Sequence, residues 1–164
     1  MGNNSTEIVK TFYEALNNGD IKTVRQLYHP DAVYKSEMFS LKGPEVFALW
    51  YTATQPEMNL TAECSSINKV NNEVHTTWNI SYELSVVNRT IKLSEKGLFK
   101  FKDGKIIFHQ DKYSFYSWCK QTLGPIGWLF GWTAWLKKRV SKQALKTIHS
   151  NIYSAQFDKE GKDE

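Results

Sequence analysis

Between residues 73 and 87, apolar and polar side chains alternate almost without interruption. Every second side chain of a strand points to the same face, so this pattern predicts a long antiparallel strand that is buried on one side. The predicted buried face comprises Val74, Thr76, Trp78, Ile80, Tyr82, Leu84 and Val86. A two-residue loop at Asn88-Arg89 predicts a hairpin to a second strand, residues 90–102, whose matching face is Ile91, Leu93, Glu95, Gly97, Phe99 and Phe101.

The predicted hairpin implies a register between these two strands. A two-residue loop places Val86 opposite Ile91 and Tyr82 opposite Glu95. Every predicted pair is compatible with an apolar face except the pair with Glu95, so this carboxyl projects from the apolar side of the sheet.

Helical spacing dominates the first third of the chain. Apolar residues recur every three or four positions in residues 6–16, 21–28 and 45–53, which predicts three helices before the main sheet. Asp20 is suited to cap the second helix and Pro44 to begin the third. Residues 32–34 predict a short strand, and residues 59–70 predict another strand whose faces the weak alternation leaves unassigned.

The strand after the main hairpin, residues 106–115, has two alternative registers. If Asp103-Gly104 is a two-residue turn, Ile106, Phe108 and Gln110 face the core. If Lys102-Asp103-Gly104 is a three-residue loop closed by a glycine bulge, the inward residues are Ile107, His109, Asp111 and Tyr113. The pattern of residues by itself does not choose between them.

The remainder is a helical extension, rich in tryptophan and interrupted at Gly124-Pro125. Beyond Gly131, one predicted helix face is apolar and the other is basic, with Lys138, Arg139, Lys142, Lys146 and His149 on the basic side. Such a helix either closes a pocket mouth or packs on a partner subunit, or it lies on a membrane surface. We favour packing, because the apolar stripe is only as wide as ordinary packing requires.

Composition and charge narrow the class of protein. With 164 residues, 41% of them hydrophobic, the chain suits one globular domain, for which we expect a pocket domain at residues 1–116, a helical extension packed on it at 117–153 and a charged tail at 154–164. The net charge of +4 comes from one segment of the chain. Five basic residues lie between positions 137 and 146, and no acidic residue occurs from Ile126 to His149. This argues against nucleic-acid binding.

Other sequence features set expectations about location and cofactors. Two distant cysteines and the lack of a signal-like apolar segment at the start favour a cytoplasmic protein. The apolar run from Ile126 to Leu136 is too short to span a membrane. We expect no metal and no cofactor, because neither metal-ligand spacing nor a glycine-rich phosphate loop is present.

Three short segments in this order resemble the nuclear transport factor 2-like superfamily, in particular its SnoaL-like members. They are Tyr13-Glu14-Ala15-Leu16-Asn17-Asn18-Gly19-Asp20, Leu27-Tyr28-His29-Pro30-Asp31-Ala32-Val33-Tyr34, and Asp103-Gly104-Lys105-Ile106 followed by His109-Gln110-Asp111. The resemblance implies an α+β fold: a cone in which a curved, mostly antiparallel sheet wraps around N-terminal helices, leaving a pocket at the wide end. It also implies a homodimer formed through the outer face of the sheet, around Thr77, Asn79, Ser81, Lys96 and Lys100.

The same resemblance favours the bulged hairpin, because the related epoxide hydrolases carry a pocket aspartate at the place of Asp111. Glu95 and Asp111 are then expected roughly opposite each other on the inner face, with His109 one step along. Other family positions depart from the known patterns. The catalytic places of ketosteroid isomerases hold Phe12, Ser36 and Gly97, and two further places of epoxide hydrolases hold Trp78 and Ile80.

The function expected from these residues is binding of a small hydrophobic molecule, with acid/base catalysis of an isomerase, cyclase or hydrolase type. Asp111 is expected to transfer the proton, Glu95 to set its pKa, and His109 or Tyr113 to orient the substrate. Phe12 and the following residues are expected to line the pocket: Tyr34, Trp50, Trp78, Tyr82, Phe99 and Tyr113. The alternative is a non-catalytic carrier or interaction module, held at a membrane by its basic helix.

Overall fold

The computed structural model describes residues 4–157 and the side chains of residues 5–155. Its helices are α1 Asn4–Asn17, α2 Ile21–Leu27, α3 Pro44–Ala53, α4 Phe115–Leu123, α5 Pro125–Phe130 and α6 Ala134–Phe157, with one 3₁₀ turn at Pro56–Met58. Its strands are β1 Tyr28–Lys35, β2 Ser40–Lys42, β3 Thr61–Val70, β4 Glu73–Leu84, β5 Arg89–Lys102 and β6 Lys105–Lys112. Most of the expected charged tail lies outside the described residues.

One six-stranded sheet organises the fold, in the order β2-β1-β6-β5-β4-β3. The pairing of β1 with β6 is parallel, and the other neighbours are antiparallel. Side chains of α1, α2 and α3 share one hydrophobic core with the inner face of the sheet. The expected α+β architecture is therefore confirmed.

The N-terminal helices follow the predicted periodicity. The carboxyl of Asp20 accepts a hydrogen bond from the Thr23 backbone N–H at 3.0 Å and so caps α2, and Pro44 begins α3. β1 is longer than predicted, because it begins directly after α2 at Tyr28. Its register with β6 is irregular between Tyr28 and Val33, a stretch that contains Pro30, which has no N–H to donate to a ladder.

The loop between β4 and β5 differs from the prediction. Leu84 pairs with Arg89, so the loop spans residues 85–88 and has four residues instead of two. Val86, predicted on the buried face, is 94% exposed in this loop. The register moves by an even number of positions, so each strand keeps its buried face, but Glu95 lies opposite Trp78 and not opposite Tyr82.

The β5–β6 hairpin combines features of both alternatives. Lys102 pairs with Lys105 across a two-residue turn in which Asp103 and Gly104 both have positive φ, so the expected three-residue loop is wrong. A bulge at Ile107 then shifts the register, because Phe101 pairs with Ile106 whereas Lys100 pairs with Phe108. As a result Ile106 is buried near the turn, and His109 and Asp111 are buried beyond the bulge.

Helix α6 lies along α3. His149 Nε2 is 2.8 Å from Glu45 Oε1, and Asn151 Nδ2 donates to Thr52 Oγ1 at 2.8 Å. Residues on the opposite side of α6 from the basic face enter the common core, among them Leu136, Ile148 and Ala155. No helix in the described part of the chain is long and apolar enough to cross a membrane.

Candidate functional site

A cavity of about 170 Å³ lies between the inner face of the sheet and helix α3. Five of the residues expected to line a pocket do line it: Tyr34, Trp50, Trp78, Tyr82 and Tyr113. Glu95 also lines it. Sequence reasoning missed further lining residues, namely Ser36, Met38, Phe39, Leu49, Thr52, Ala53, Met58, Leu60, Ile80 and Leu93. The walls are therefore mainly aromatic and aliphatic, with a carboxyl among them.

Phe12 and Phe99 do not line this cavity, contrary to expectation. Both are fully buried in an aromatic cluster around His109. The Phe99 ring stacks on the His109 ring with centroids 4.0 Å apart, and the Phe12 ring meets His109 edge-on at 5.4 Å. The bulge that turns His109 inward also takes it into this cluster, so these two phenylalanines are core residues.

Asp111 is held by three polar side chains in the interior. The Tyr34 hydroxyl donates to Oδ2 at 3.1 Å, and the Trp78 indole N–H donates to Oδ1 at 3.3 Å. His109 Nε2 lies 3.1 Å from the same Oδ1. Donors converging on both oxygens suit the charged carboxylate. The Asp111 side chain is fully buried and lies behind Tyr34 and Trp78, outside the cavity lining.

His109 links Asp111 to a second tyrosine. Its Nδ1 is 2.6 Å from the Tyr28 hydroxyl, while its Nε2 faces Asp111. A neutral ring with the hydrogen on Nε2 satisfies both contacts, because Nδ1 then accepts from Tyr28. Burial and the charge of Asp111 raise the pKa of Tyr28 well above its ordinary value, so this hydroxyl keeps its proton. Tyr28, His109 and Asp111 thus form a continuous buried chain of hydrogen bonds.

Glu95 is the carboxyl that faces the cavity. Burial, reinforced by the nearby charge of Asp111, raises its pKa well above the ordinary value of a glutamate. Burial acts in the same direction on Tyr113, whose pKa is also raised, with the charge of Glu95 as the next cause. The cavity therefore contains a carboxyl that retains its proton to a higher pH than a solvent-exposed glutamate does.

Gly97 makes room for this arrangement. It is the direct partner of Asp111 on β5, so Glu95 lies one inward position away from the expected place opposite Asp111. A Cβ at position 97 would lie 2.3 Å from Thr76 Oγ1 and 3.3 Å from Asp111 Oδ1. A glycine inside a long alternating strand often marks such a close approach, and this signal is present in the sequence.

Replacing Asp111 with asparagine is expected to lower the pKa of Glu95, because the change removes the nearby negative charge but keeps the shape of the side chain. Carbon-13 NMR of labelled glutamate carboxyls measures this pKa directly. Burial remains the larger cause, so Glu95 in the variant should still titrate above the exposed glutamates.

Asp31→Asn is the matched control, because it removes the same charge from an exposed position on β1. A Glu95 titration that is identical in the Asp111→Asn protein and the wild type would contradict the described coupling.

Known proteins resemble this chain in sequence and in fold. The model of the SnoaL-like domain matches residues 9–109. The chain belongs to the SnoaL-like domain family. The match includes His109 and ends before Asp111 and helices α4 to α6, so the division into domain and extension stays a prediction. No curated protein sequence matches the chain significantly.

Solved structures share the fold of this SnoaL-like chain at low identity. An LEH-like epoxide hydrolase from M. tuberculosis is 22% identical, with 73% of this chain and 90% of that chain covered and a TM-score of 0.65. A protein with a ketosteroid isomerase-like fold from Catenulispora acidiphila DSM 44928, in complex with trimethylamine, is 18% identical, with 74% and 96% covered and a TM-score of 0.63. Bal32a, from a soil-derived mobile gene cassette, is 20% identical, with 73% and 96% covered and a TM-score of 0.64.

Within the described residues, no group of three or more His, Cys, Asp or Glu side chains could hold a metal ion. The side chains of the site can themselves perform proton transfer and hydrogen bonding, and Glu95 and Asp111 are the carboxyls at its centre.

Proposed function

We propose that this SnoaL-like domain binds a small, uncharged hydrophobic molecule in the cavity and exchanges a proton with it through Glu95. The observation that carries the proposal is the carboxyl of Glu95 in an aromatic cavity, with a pKa raised by burial and by Asp111. Carboxyls whose pKa is raised in this way can act as general acids and bases near neutral pH. The cavity is smaller than the roughly 300–1,000 Å³ of sites for drug-sized ligands, which favours a small ligand.

The proposed roles reverse those expected from the sequence. Glu95 touches the ligand and transfers the proton, whereas Asp111 acts from behind the cavity wall by supplying negative charge. His109 positions Asp111 and does not reach the cavity lining. Tyr113 lines the cavity and is suited to orient the ligand by hydrogen bonding.

Addition of water to a strained ring fits these roles. Protonated Glu95 donates its proton to the ring oxygen as a water oxygen attacks the ring carbon and the carbon–oxygen bond breaks. The Glu95 carboxylate then accepts the proton that the attacking water releases, so the product is a diol and the carboxyl is restored. The similarity in fold to an epoxide hydrolase supports this reaction class, and isomerisation through the same carboxyl is the other acid/base route.

Binding of styrene oxide, a small neutral epoxide, tests the proposed cavity. We expect it to shift the indole NMR signals of Trp50 and Trp78, since both rings line the cavity. Ala53→Phe places a ring in the cavity wall and should weaken this binding by at least about tenfold, that is by about 1.4 kcal/mol.

Ser85→Phe, which adds a ring to the exposed β4–β5 loop, is the control and should bind like the wild type. Shifts confined to residues outside the cavity, or equal binding by Ala53→Phe, would count against the proposed site.

A non-catalytic carrier is the second candidate. The burial of Asp111 favours it, because this aspartate, which the sequence predicts to transfer the proton, does not line the cavity. A homodimer through the outer face of the sheet and a cytoplasmic location remain predictions for either function.

A further inference from the structure

Six large apolar side chains around helix α5 face solvent. They form what we term the tryptophan patch: Ile126, Trp128, Leu129, Phe130, Trp132 and Trp135, each at least half exposed. Trp132 is 76% exposed, and its indole N–H donates to the Leu129 carbonyl. Single exposed apolar residues are ordinary, but six within ten consecutive positions of the chain are typical of a binding surface.

Two glycines explain why these side chains point outward. Gly127 packs on the backbone of α4, where a Cβ would lie 1.9 Å from the Cys119 carbonyl oxygen. A Cβ at Gly131 would lie 2.9 Å from the Cys119 Cβ. Helix α5 therefore contacts the domain through positions that have no side chain, which leaves its large residues on the outside.

A basic stripe on α6 continues from the patch. Helical spacing aligns Trp135 with Lys138, Arg139, Lys142 and Lys146, and all five are exposed. The Arg139 guanidinium lies over the Trp135 ring at 5.8 Å, so patch and stripe are in contact. Lys137 is set apart from the stripe because it pairs with Glu37 at 3.1 Å. The sequence has no acidic residue between Ile126 and His149 to neutralise this stripe.

We propose that the tryptophan patch and the basic stripe together bind the surface of a membrane that contains anionic lipid. The apolar side chains of α5 insert at the boundary between headgroups and acyl chains, where tryptophan is favoured. The stripe lies against the anionic headgroups.

Packing of the extension on the domain, as expected from the sequence, explains the buried apolar side of α6 but not the exposed apolar side chains of α5. The apolar side of α6 is buried through Leu136 and Ile148, so its basic side remains available to a partner. A second copy of this chain fits the surface less well than a membrane, because two identical basic stripes would repel each other. An anionic lipid surface complements both the charge and the apolar patch.

Vesicle co-sedimentation of the full-length protein tests the proposal. We expect binding to phosphatidylcholine vesicles that contain about one third phosphatidylglycerol, much weaker binding to phosphatidylcholine alone, and loss of binding at high salt. Tryptophan fluorescence should shift to shorter wavelength on binding, because the patch contains three tryptophans that leave water.

Two variants separate the contributions. Trp128→Ser combined with Phe130→Ser should abolish insertion without unfolding the domain, since both side chains are exposed. Lys138→Gln, Lys142→Gln and Lys146→Gln together should weaken binding to anionic vesicles about a hundredfold, on the order of fivefold for each charge.

Matched controls lie away from the patch and the stripe. Val70→Ser with Val86→Ser removes exposed apolar side chains elsewhere, and Lys22→Gln, Lys102→Gln and Lys105→Gln together remove the same charge from exposed positions outside the predicted dimer face. Both controls should bind vesicles like the wild type. The proposal is overturned if the wild type binds neither kind of vesicle, if patch and control variants bind equally, or if Trp128→Ser with Phe130→Ser instead converts a dimer in solution into a monomer.

Discussion

Glu95→Gln is expected to reduce the rate of styrene oxide hydrolysis, or of deuterium exchange from solvent into a small bound ketone, by at least about a hundredfold. Glutamine keeps the size and hydrogen-bonding capacity of the side chain but can neither donate nor accept the transferred proton. Ligand affinity should change little, because the aromatic walls that bind the apolar part of the ligand remain. The loss should therefore appear in kcat with KM nearly constant.

The raised pKa of Glu95 can be tested independently of any reaction, because it makes the free energy of unfolding depend on pH in a defined way. A carboxyl whose pKa is raised by folding contributes stability that is fully present below its unfolded pKa and is lost as the pH rises through its folded pKa. The Glu95→Gln variant has no carboxyl at this position, so it does not lose stability in this way as the pH rises. The free energy of unfolding of the wild type should therefore fall relative to that of the variant as the pH rises from about 4.5 through the raised pKa of Glu95.

Glu63→Gln on β3 is the matched control, because Glu63 is exposed and the change should leave both rate and pH dependence unchanged. An Asp111→Asn protein in which the reaction stops while Glu95→Gln remains active would return the proton transfer to Asp111, as expected from the sequence. Wild-type protein that binds styrene oxide and the ketone but converts neither would favour the carrier.

Phe12→Ala is expected to destabilise the protein by about 3–5 kcal/mol. The Phe12 side chain is fully buried and makes ring contacts with Tyr13, Tyr28, Trp50, Phe99 and His109, at centroid distances of 5.1 to 5.9 Å. Alanine leaves a cavity among rigid aromatic rings that cannot easily close around it, so the cost lies above that of removing the same area from a flexible site.

Urea unfolding monitored by tryptophan fluorescence measures this difference. Val86→Ala is the control, since Val86 is almost fully exposed and its truncation should change the free energy of unfolding by less than about 0.5 kcal/mol. A cost of 1 kcal/mol or less for Phe12→Ala would show that the aromatic cluster around His109 is not tightly packed.

Phe12 and Tyr34 show how much of the cavity lining can be predicted from the sequence. Both are aromatic residues expected to line the pocket, yet Tyr34 lines the cavity and Phe12 fills the core behind His109. Hydrophobic patterning identifies an inward face, but it does not say where along that face the packing leaves space. That depends on how side chains from α1, α3 and three different strands meet.

Glu95 and Asp111 show the same limit of prediction from the sequence. Sequence reasoning placed Glu95 and Asp111 on the inner face, and both are buried. It could not decide which one reaches the cavity, because that depends on the loop length after β4, on the bulge at Ile107 and on the place of Trp78 between Asp111 and the cavity. The loop and the bulge set the register of the strands, and the place of Trp78 depends on side-chain packing, so all three depend on contacts between residues that are distant in sequence.

The sequence by itself determined the helices, the alternating strands, the α+β fold class and the SnoaL-like resemblance, because side-chain periodicity, caps and turn residues act over a few neighbouring positions. Only the tertiary structure decided the register of the paired strands, the division of the two carboxyls between cavity and interior, and the exposure of the tryptophan patch. In the patch, two glycines set the side on which α5 packs, and the surface that receives them belongs to α4. Periodicity cannot predict such a contact, because it depends on where two helices meet and not on the spacing within either one.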